Sequence, residues 1–385
     1  MTITVHADVV VAGGSVAGLI CAREIARNEG SVIVLEEDYE IGTPEHCGGL
    51  VSLSGLEELG VIPSRKTYEH LIERAEIFSP NNTSFTLNSK NQKIAEVNRR
   101  ELDKQIAHQA QKNGAIIKVK TSFQKLIDGG VRTNEEEIKC KIFVDARGVS
   151  SLGQKDRSGI IPSAQYEIYA DWIKKGKVEV HFDQDKYPGF FAWIIPIEEG
   201  KGKVGVAGRG INVASTIENF LGKREKHSTI RKIFAPIWIK GPIKKFTDGR
   251  TVTIGDAAGQ TKPTTAGGIF SSGLGGLYAG QSISEFLKTH DTSCLENYQN
   301  VWMRRFGKEF EKQIIARKIL ERLDNNTINK LLESMTPSII KEISENEDFD
   351  FHSSSIVKLL GLRGSIKTAQ TLVKGEIRKM LSFDA

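Results

Sequence analysis

The chain has 385 residues, 39% hydrophobic and 26% charged, with a formal net charge of +5. That length exceeds one ordinary hydrophobic core and implies two or three domains, and so mild a charge over so long a chain excludes the pervasive basicity of a nucleic-acid binder. The four cysteines, Cys21, Cys47, Cys140 and Cys294, form no Cys-x-x-Cys pair and have no histidines at metal spacing, which points to a reducing compartment and to no metal centre.

The N-terminus runs directly into strand-like sequence with no secretory signal, so a cytoplasmic location is expected. Val9-Val10-Val11-Ala12 reads as a buried strand. Gly13-Gly14-Ser15-Val16-Ala17-Gly18 follows as a tight turn opening a helix, and Val32-Ile33-Val34-Leu35 as a second strand ending on Glu36 and Glu37. This is a βαβ unit suited to a dinucleotide. Gly13 turns the chain sharply, Gly18 lets the helix pack close, and the free N–H groups of the helix start face a pyrophosphate. Glu36, at the tip of the second strand, is placed to accept hydrogen bonds from ribose hydroxyls. Ser15 departs from the pattern, which usually has its second glycine there.

Turn chemistry then marks a loop through Gly42-Thr43-Pro44 and Cys47-Gly48-Gly49. Residues 75–87 read as a hairpin around Asn81-Asn82, residues 99–113 as a helix and 115–119 as a strand. Ile142-Phe143-Val144 forms another strand, ending in Asp145-Ala146-Arg147-Gly148. From about 166 to 210 the period changes to two, which fits an antiparallel sheet with one buried face. Thr251-Val252-Thr253-Ile254 leads into Gly255-Asp256-Ala257-Ala258-Gly259 and a long helix. Residues 263–284 carry no charge, but their glycines, serines and threonines argue against a membrane span. Beyond Leu295 the period is helical.

The expected fold is therefore α/β, α+β overall. A discontinuous Rossmann-like dinucleotide-binding domain comprises residues 1–74, 90–165 and 245–295. A substrate-binding sheet domain comprises 75–89 and 166–244, and a C-terminal helical region 296–385. Lys358, Arg363, Lys367, Lys374, Arg378 and Lys379 crowd the last segment, a solvated helix face or a peripheral contact with the inner face of the cell membrane.

With Glu36, Arg99 and Gly255-Asp256 the chain resembles the flavoproteins typified by p-hydroxybenzoate hydroxylase. The resemblance implies FAD as the cofactor of the discontinuous Rossmann-like domain, Glu36 on the adenosine ribose, Arg99 beside the FAD and Asp256 on the ribityl chain. It also implies that the helix opening at Gly267, Gly268 and Ile269 points its N-terminus at the isoalloxazine. The hydroxylases carry Asp-Gly where this chain has Arg147-Gly148.

Within that class Cys47-Gly48-Gly49 resembles the cysteine-glycine motif of the geranylgeranyl reductases, and residues 261–268 resemble their archaeal members. The signature Tyr-x-Trp-x-Phe-Pro of these reductases recurs in altered form as Phe191-Ala192-Trp193-Ile194-Ile195-Pro196. The resemblance implies a reductase that saturates isoprenoid C=C bonds in archaeal ether lipids or geranylgeranyl diphosphate. Phe191, Trp193, Ile195 and Pro196 would line the prenyl channel, and Cys47 and Gly48 would lie by the flavin. Cys47, with His46 second, is the candidate to contact substrate and move a proton. Ferredoxin or NAD(P)H would be the external electron donor. Two other readings compete: a flavin monooxygenase or halogenase, whose Trp-x-Trp-x-Ile-Pro motif the same hexapeptide resembles, and a non-catalytic prenyl carrier like the GDP-dissociation inhibitors.

Overall fold

The computed structural model describes residues 5–89, 92–153, 156–346 and 348–351. The basic cluster from Lys358 to Lys379 lies outside them. Four short apolar runs build the centre of a six-stranded sheet. Its order is Thr247–Asp248, Thr251–Thr253, Ile142–Asp145, Val9–Ala12, Val32–Leu35, Ile116–Lys118, parallel throughout except at the Thr247–Asp248 edge. Val9–Ala12 and Val32–Leu35 are buried along their whole length, as unbroken apolar strands in a doubly covered parallel sheet should be. Val9, Val11, Val32 and Val34 face a core shared with helices, while Val10, Ala12, Ile33 and Leu35 pack on Val131, Ile138 and Phe143 beneath a small four-stranded sheet.

The second layer is a seven-stranded sheet in the order Ser228–Trp238, Ile160–Tyr169, Lys201–Ala207, Ala192–Glu198, Lys177–His181, Arg74–Phe78, Ser84–Asn88. Its strand Ile160–Tyr169 begins ahead of residue 166 and pairs antiparallel with Lys201–Ala207 on one side and Ser228–Trp238 on the other. The sheet is antiparallel except between Lys177–His181 and Arg74–Phe78, where the inserted hairpin joins in parallel. Ser228–Trp238, at one edge, escapes a reading of alternation because its side chains are mostly exposed or half-buried and it contains Pro236, which an edge strand tolerates.

The helix Ser293–Leu320 ties the layers together. Tyr298, Trp302, Phe306 and Phe310 are buried in the core of the six-stranded domain, whereas Ala316 and Ile319 pack with Phe85 of the second sheet. Among the described residues no helix is long and apolar enough to cross a membrane.

Candidate functional site

At the tip of Val9–Ala12, Gly13 adopts φ +115°, and a Cβ there would lie 2.2 Å from the carbonyl oxygen of Ala146. Only glycine makes that crossing. Gly18, in the first turn of the helix Val16–Arg27, would place a Cβ 2.0 Å from the Gly13 carbonyl oxygen, so the helix start is pressed onto the strand end. The Gly14 N–H donates to Glu36 Oε2 at 2.8 Å, and the Asp38 N–H to Glu36 Oε1 at 3.0 Å. Burial raises the pKa of Glu36 against these two bonds. Glu37 beside it is exposed. Ser15 is the N-cap residue, in extended backbone with φ −106°, exposed, and with no capping bond from its side chain. A serine therefore costs nothing in backbone strain, and the helix N–H groups keep their donors for an anion. Ala17 is buried where a second helix crosses, since a Cβ on Gly276 would lie 2.2 Å from its carbonyl oxygen.

That second helix, Ile269–Thr289, starts beside the tip of Thr251–Thr253. Asp256 Oδ1 accepts from the hydroxyls of Thr261 and Ser272, and a Cβ on Gly268 would approach the same oxygen at 3.2 Å. Residues 262–267 close on themselves through Ala266 N–H to the Lys262 carbonyl, 2.9 Å, and Lys262 N–H to the Gly267 carbonyl, 3.0 Å. Gly268 caps the helix with no side-chain hydrogen bond, so Gly267, Gly268 and Ile269 present a bare N-terminus next to Asp256.

A third helix brings Arg99 against the Cys47 loop. Asn98 caps the helix Arg99–Lys112 through the Glu101 N–H, and Arg99 holds Asp103 one turn on with two bonds of 3.0 and 3.1 Å. Burial works against the charge of Arg99, yet Asp103 and the sulfur of Cys47, which the guanidinium also touches, hold its pKa above the ordinary value. The Nε atoms of Arg99 and Arg100 are buried without a partner among the described residues. His46 reaches the surface, and partial desolvation on its protein side lowers its pKa.

The Cys47-Gly48-Gly49 loop meets the second sheet. A Cβ on Gly48 would lie 2.6 Å from Ile195 Cδ1. The Trp193 indole N–H donates to Gln165 Oε1 at 3.1 Å, and Gln165 Nε2 donates to the Cys47 carbonyl at 3.2 Å. The register sets Gln165, Gly205 and Trp193 side by side on three strands, and the indole lies over Gly205, where a Cβ would come within 2.2 Å of the ring. Phe191 stacks on Phe190 at 4.2 Å and meets Trp193 edge-on at 6.1 Å. Phe191, Trp193 and Ile195 thus share one face. Pro196 alternates to the opposite face, with Ala192 and Ile194, and is not brought together with them.

Beneath the loop lies an ionic cluster that sequence reasoning missed. Lys203 Nζ donates to Glu45 Oε1 at 2.7 Å and to Glu96 Oε1 at 2.9 Å, all three groups buried. Arg231 reaches Glu45 Oε2 at 3.1 Å and also pairs with Glu167. A lysine amid the apolar strand Lys201–Ala207 was the available signal, because a charge there needs a buried partner. Gln165 and Gly205 had none, being ordinary residues until register pairs them. Among the described residues no group of three or more His, Cys, Asp or Glu is placed to hold a metal ion.

No protein-family model matches the chain. It is 29% identical over 374 residues to digeranylgeranylglycerophospholipid reductase 2 of Methanopyrus kandleri, covering 89% of this chain and 93% of that one. It is 30% identical over 363 residues to digeranylgeranylglycerophospholipid reductase of Methanocaldococcus jannaschii, covering 86% and 91%. Among solved structures, a geranylgeranyl bacteriochlorophyll reductase-like protein from Thermoplasma acidophilum superposes with a TM-score of 0.86 at 23% identity, over 97% of this chain and 99% of that one, which establishes the shared fold. With likeness to the 30%-identical relative along 86% of its length, the chain belongs to the digeranylgeranylglycerophospholipid reductase family.

Proposed function

We propose that the protein is an FAD-dependent reductase that saturates isoprenoid C=C bonds of geranylgeranyl groups, in archaeal membrane ether lipids or geranylgeranyl diphosphate. The observation that carries this reading is the placement of the Cys47-Gly48-Gly49 loop between the Arg99 guanidinium and the apolar face of Phe191, Trp193 and Ile195. The residues fit FAD: Gly13 and Gly14 make a turn so tight that a Cβ would collide with Ala146, Ile41 or Glu36, two helix N-termini lack side-chain caps, and Arg99 and Arg100 keep Nε atoms unpartnered among the described residues. Glu36 would hold the adenosine ribose and Asp256 the ribityl chain. The Gly267-Gly268-Ile269 N-terminus would stabilise negative charge on the ring.

FAD, when bound and reduced, supplies the hydride. An isolated alkene has no carbonyl to polarise, so the protein contributes mainly by positioning the chain and excluding water. The Trp193 face would align the alkene, with Gln165 fixing the indole to the Cys47 loop. The Cys47 thiol would give its proton to the second alkene carbon, and Arg99 would stabilise the thiolate left behind. His46, at the rim, would exchange protons with solvent. Arg147 is folded back on Asp145 with bonds of 2.9 and 2.8 Å, and the electrons would come from ferredoxin or NAD(P)H. Peripheral docking of the basic C-terminal segment on the membrane is the same proposal's account of a lipid substrate, read from its charge alone.

The test is anaerobic incubation of dithionite-reduced protein with geranylgeranyl lipids, followed by mass spectrometry. Stepwise gain of H2 supports the reading; no gain with any prenyl substrate sinks it. Product formed only with oxygen would indicate a monooxygenase or halogenase, and a colourless protein without flavin absorbance a carrier. Cys47→Ala should lower the rate of alkene reduction by about 100-fold, the low end for a positioned proton donor.

A further inference from the structure

Glu96 sits in the strand Ile94–Val97, fully shielded from solvent. Lys203 occupies its Oε1, and its Oε2 has no partner among the described residues. The charged and titratable groups around it are Lys203, Glu69, Glu45 and the buried His70, its register partner on the strand Tyr68–Leu71; Arg231 and Arg99 stand behind Glu45. Two buried carboxylates share one ammonium, but Arg231 supports only Glu45. Glu45 is accordingly held below the ordinary carboxylate range by Lys203 and Arg231 in spite of its burial. Burial pushes Glu96 up to about 7, with Glu69 and Glu45 adding to the effect of burial against the pull of Lys203. A carboxyl with a bare buried oxygen keeps its proton more readily than one fully paired.

The position of this acid matters as much as its charge. A Cβ on Gly49 would lie 2.8 Å from Glu96 Oε1 and 3.2 Å from Lys203 Nζ, so the cluster presses directly on that residue. On its other side the Gly49 N–H donates to Cys47 Sγ at 3.4 Å. One residue without a side chain separates the buried acid from the thiol.

We propose that Glu96 is the proton store of this site, recharging Cys47 across Gly49 as successive double bonds are saturated. The proposal rests on the reductase reading above. Each saturation consumes one hydride from the reduced cofactor and one proton. The S–H bond of Cys47 breaks as a C–H bond forms on the substrate. The resulting thiolate, facing Arg99, takes the proton of the Glu96 carboxyl, and the Glu96 carboxylate, itself shielded, regains one along the bonded chain Lys203–Glu45, which reaches solvent at the partly exposed Arg231. No electrons pass through Glu96, which is a positioning residue for the proton and does not touch substrate.

The test compares the whole protein with Glu96→Gln and Glu96→Asp under dithionite turnover of geranylgeranyl lipid across pH. The wild-type rate should fall as pH rises through about 7, because the acid form is the active one. Glu96→Gln should lower the rate at pH 6 by roughly 100-fold and abolish that break, while Glu96→Asp should retain a break. Infrared difference spectra supply a readout independent of activity: a protonated carboxyl band should disappear over the same pH range in the wild type and be missing in Glu96→Gln. An unchanged rate and break in Glu96→Gln, or no titrating carboxyl band, would overturn the proposal while leaving the reductase reading intact. Wild-type protein that adds no H2 would overturn both. Should Glu96→Gln not fold, Glu96→Asp decides the matter, since its kinetic break must move with its infrared midpoint.

Discussion

Ala266 has φ +57°, the left-handed region that favours glycine, between Thr265 and the Gly267-Gly268 pair that opens the second helix. Its N–H closes the loop onto the Lys262 carbonyl, so the strain is held beside the N-terminus of that helix. Replacing it by glycine relieves the Cβ clash but adds freedom to the unfolded chain, and Ala266→Gly should stabilise the protein by about 0.5–1 kcal/mol in urea unfolding. Glu96 makes a second residue-scale prediction. With its pKa raised from 4.5 to about 7, the folded state holds a proton that the unfolded chain has lost between those values. Its stability contribution is thus present below the unfolded pKa and lost as pH rises through the folded one. The unfolding free energy of the wild type relative to Glu96→Gln should therefore fall between pH 4.5 and 7, as read from denaturation midpoints across pH.

At the scale of elements, the packing of three helices depends on residues at fixed spacing. The helix Val16–Arg27 and the helix Ile269–Thr289 approach closely because Ala17 and Cys21 face Gly276 and Gly280, where a Cβ would lie 2.2 and 2.8 Å from the facing carbonyls. The helix Ser293–Leu320 places Trp302, Phe306 and Phe310 on one stripe four residues apart. Trp302 is wholly buried and bonds the Ser271 carbonyl through its indole at 3.0 Å. That bond fixes the helix whose N-terminus borders Asp256. Trp302→Ala should cost about 3–5 kcal/mol, the usual range for a buried aromatic, and should weaken FAD retention measured by flavin release on heating.

At the scale of the whole molecule, the Cys47 loop and the Trp193 face come together only where the two layers meet, and Arg317 bridges that meeting. Its guanidinium donates to the Pro263 carbonyl at 3.1 Å, in the loop before the second helix, and to the Gly189 carbonyl of the second layer. It also stands 5.3 Å over the Phe190 ring, beside the Phe191 and Trp193 face. Burial lowers its pKa to about 10, still far above neutrality, so it is charged under all working conditions. Arg317→Met keeps the stem but leaves two carbonyls unpaired. It should lower stability by about 2–3 kcal/mol, measured by chemical denaturation, and raise KM for the lipid more than it lowers kcat.

The turn after the first strand was legible in the sequence because its requirements are local. A tight turn needs Gly13, close helix packing needs Gly18, and the acid at the end of the second strand follows from strand length. Ser15 looked irregular only until its extended backbone and exposed side chain were known. Asp256 and the Gly267-Gly268 start were singled out by the resemblance to the p-hydroxybenzoate hydroxylase-type flavoproteins, and the structure sets them side by side at the opening of the second helix. What tertiary structure alone decided is contact between segments far apart in the chain: Gln165 bridging Trp193 to Cys47, Gly205 beneath the indole, Lys203 between Glu45 and Glu96, and Arg317 across the two layers. Pro196 was separated from Trp193 by nothing more than the two-residue alternation of a strand. Local sequence sets backbone conformation and which faces are apolar; charges and amides find their buried partners only when register and domain packing bring them within bonding distance.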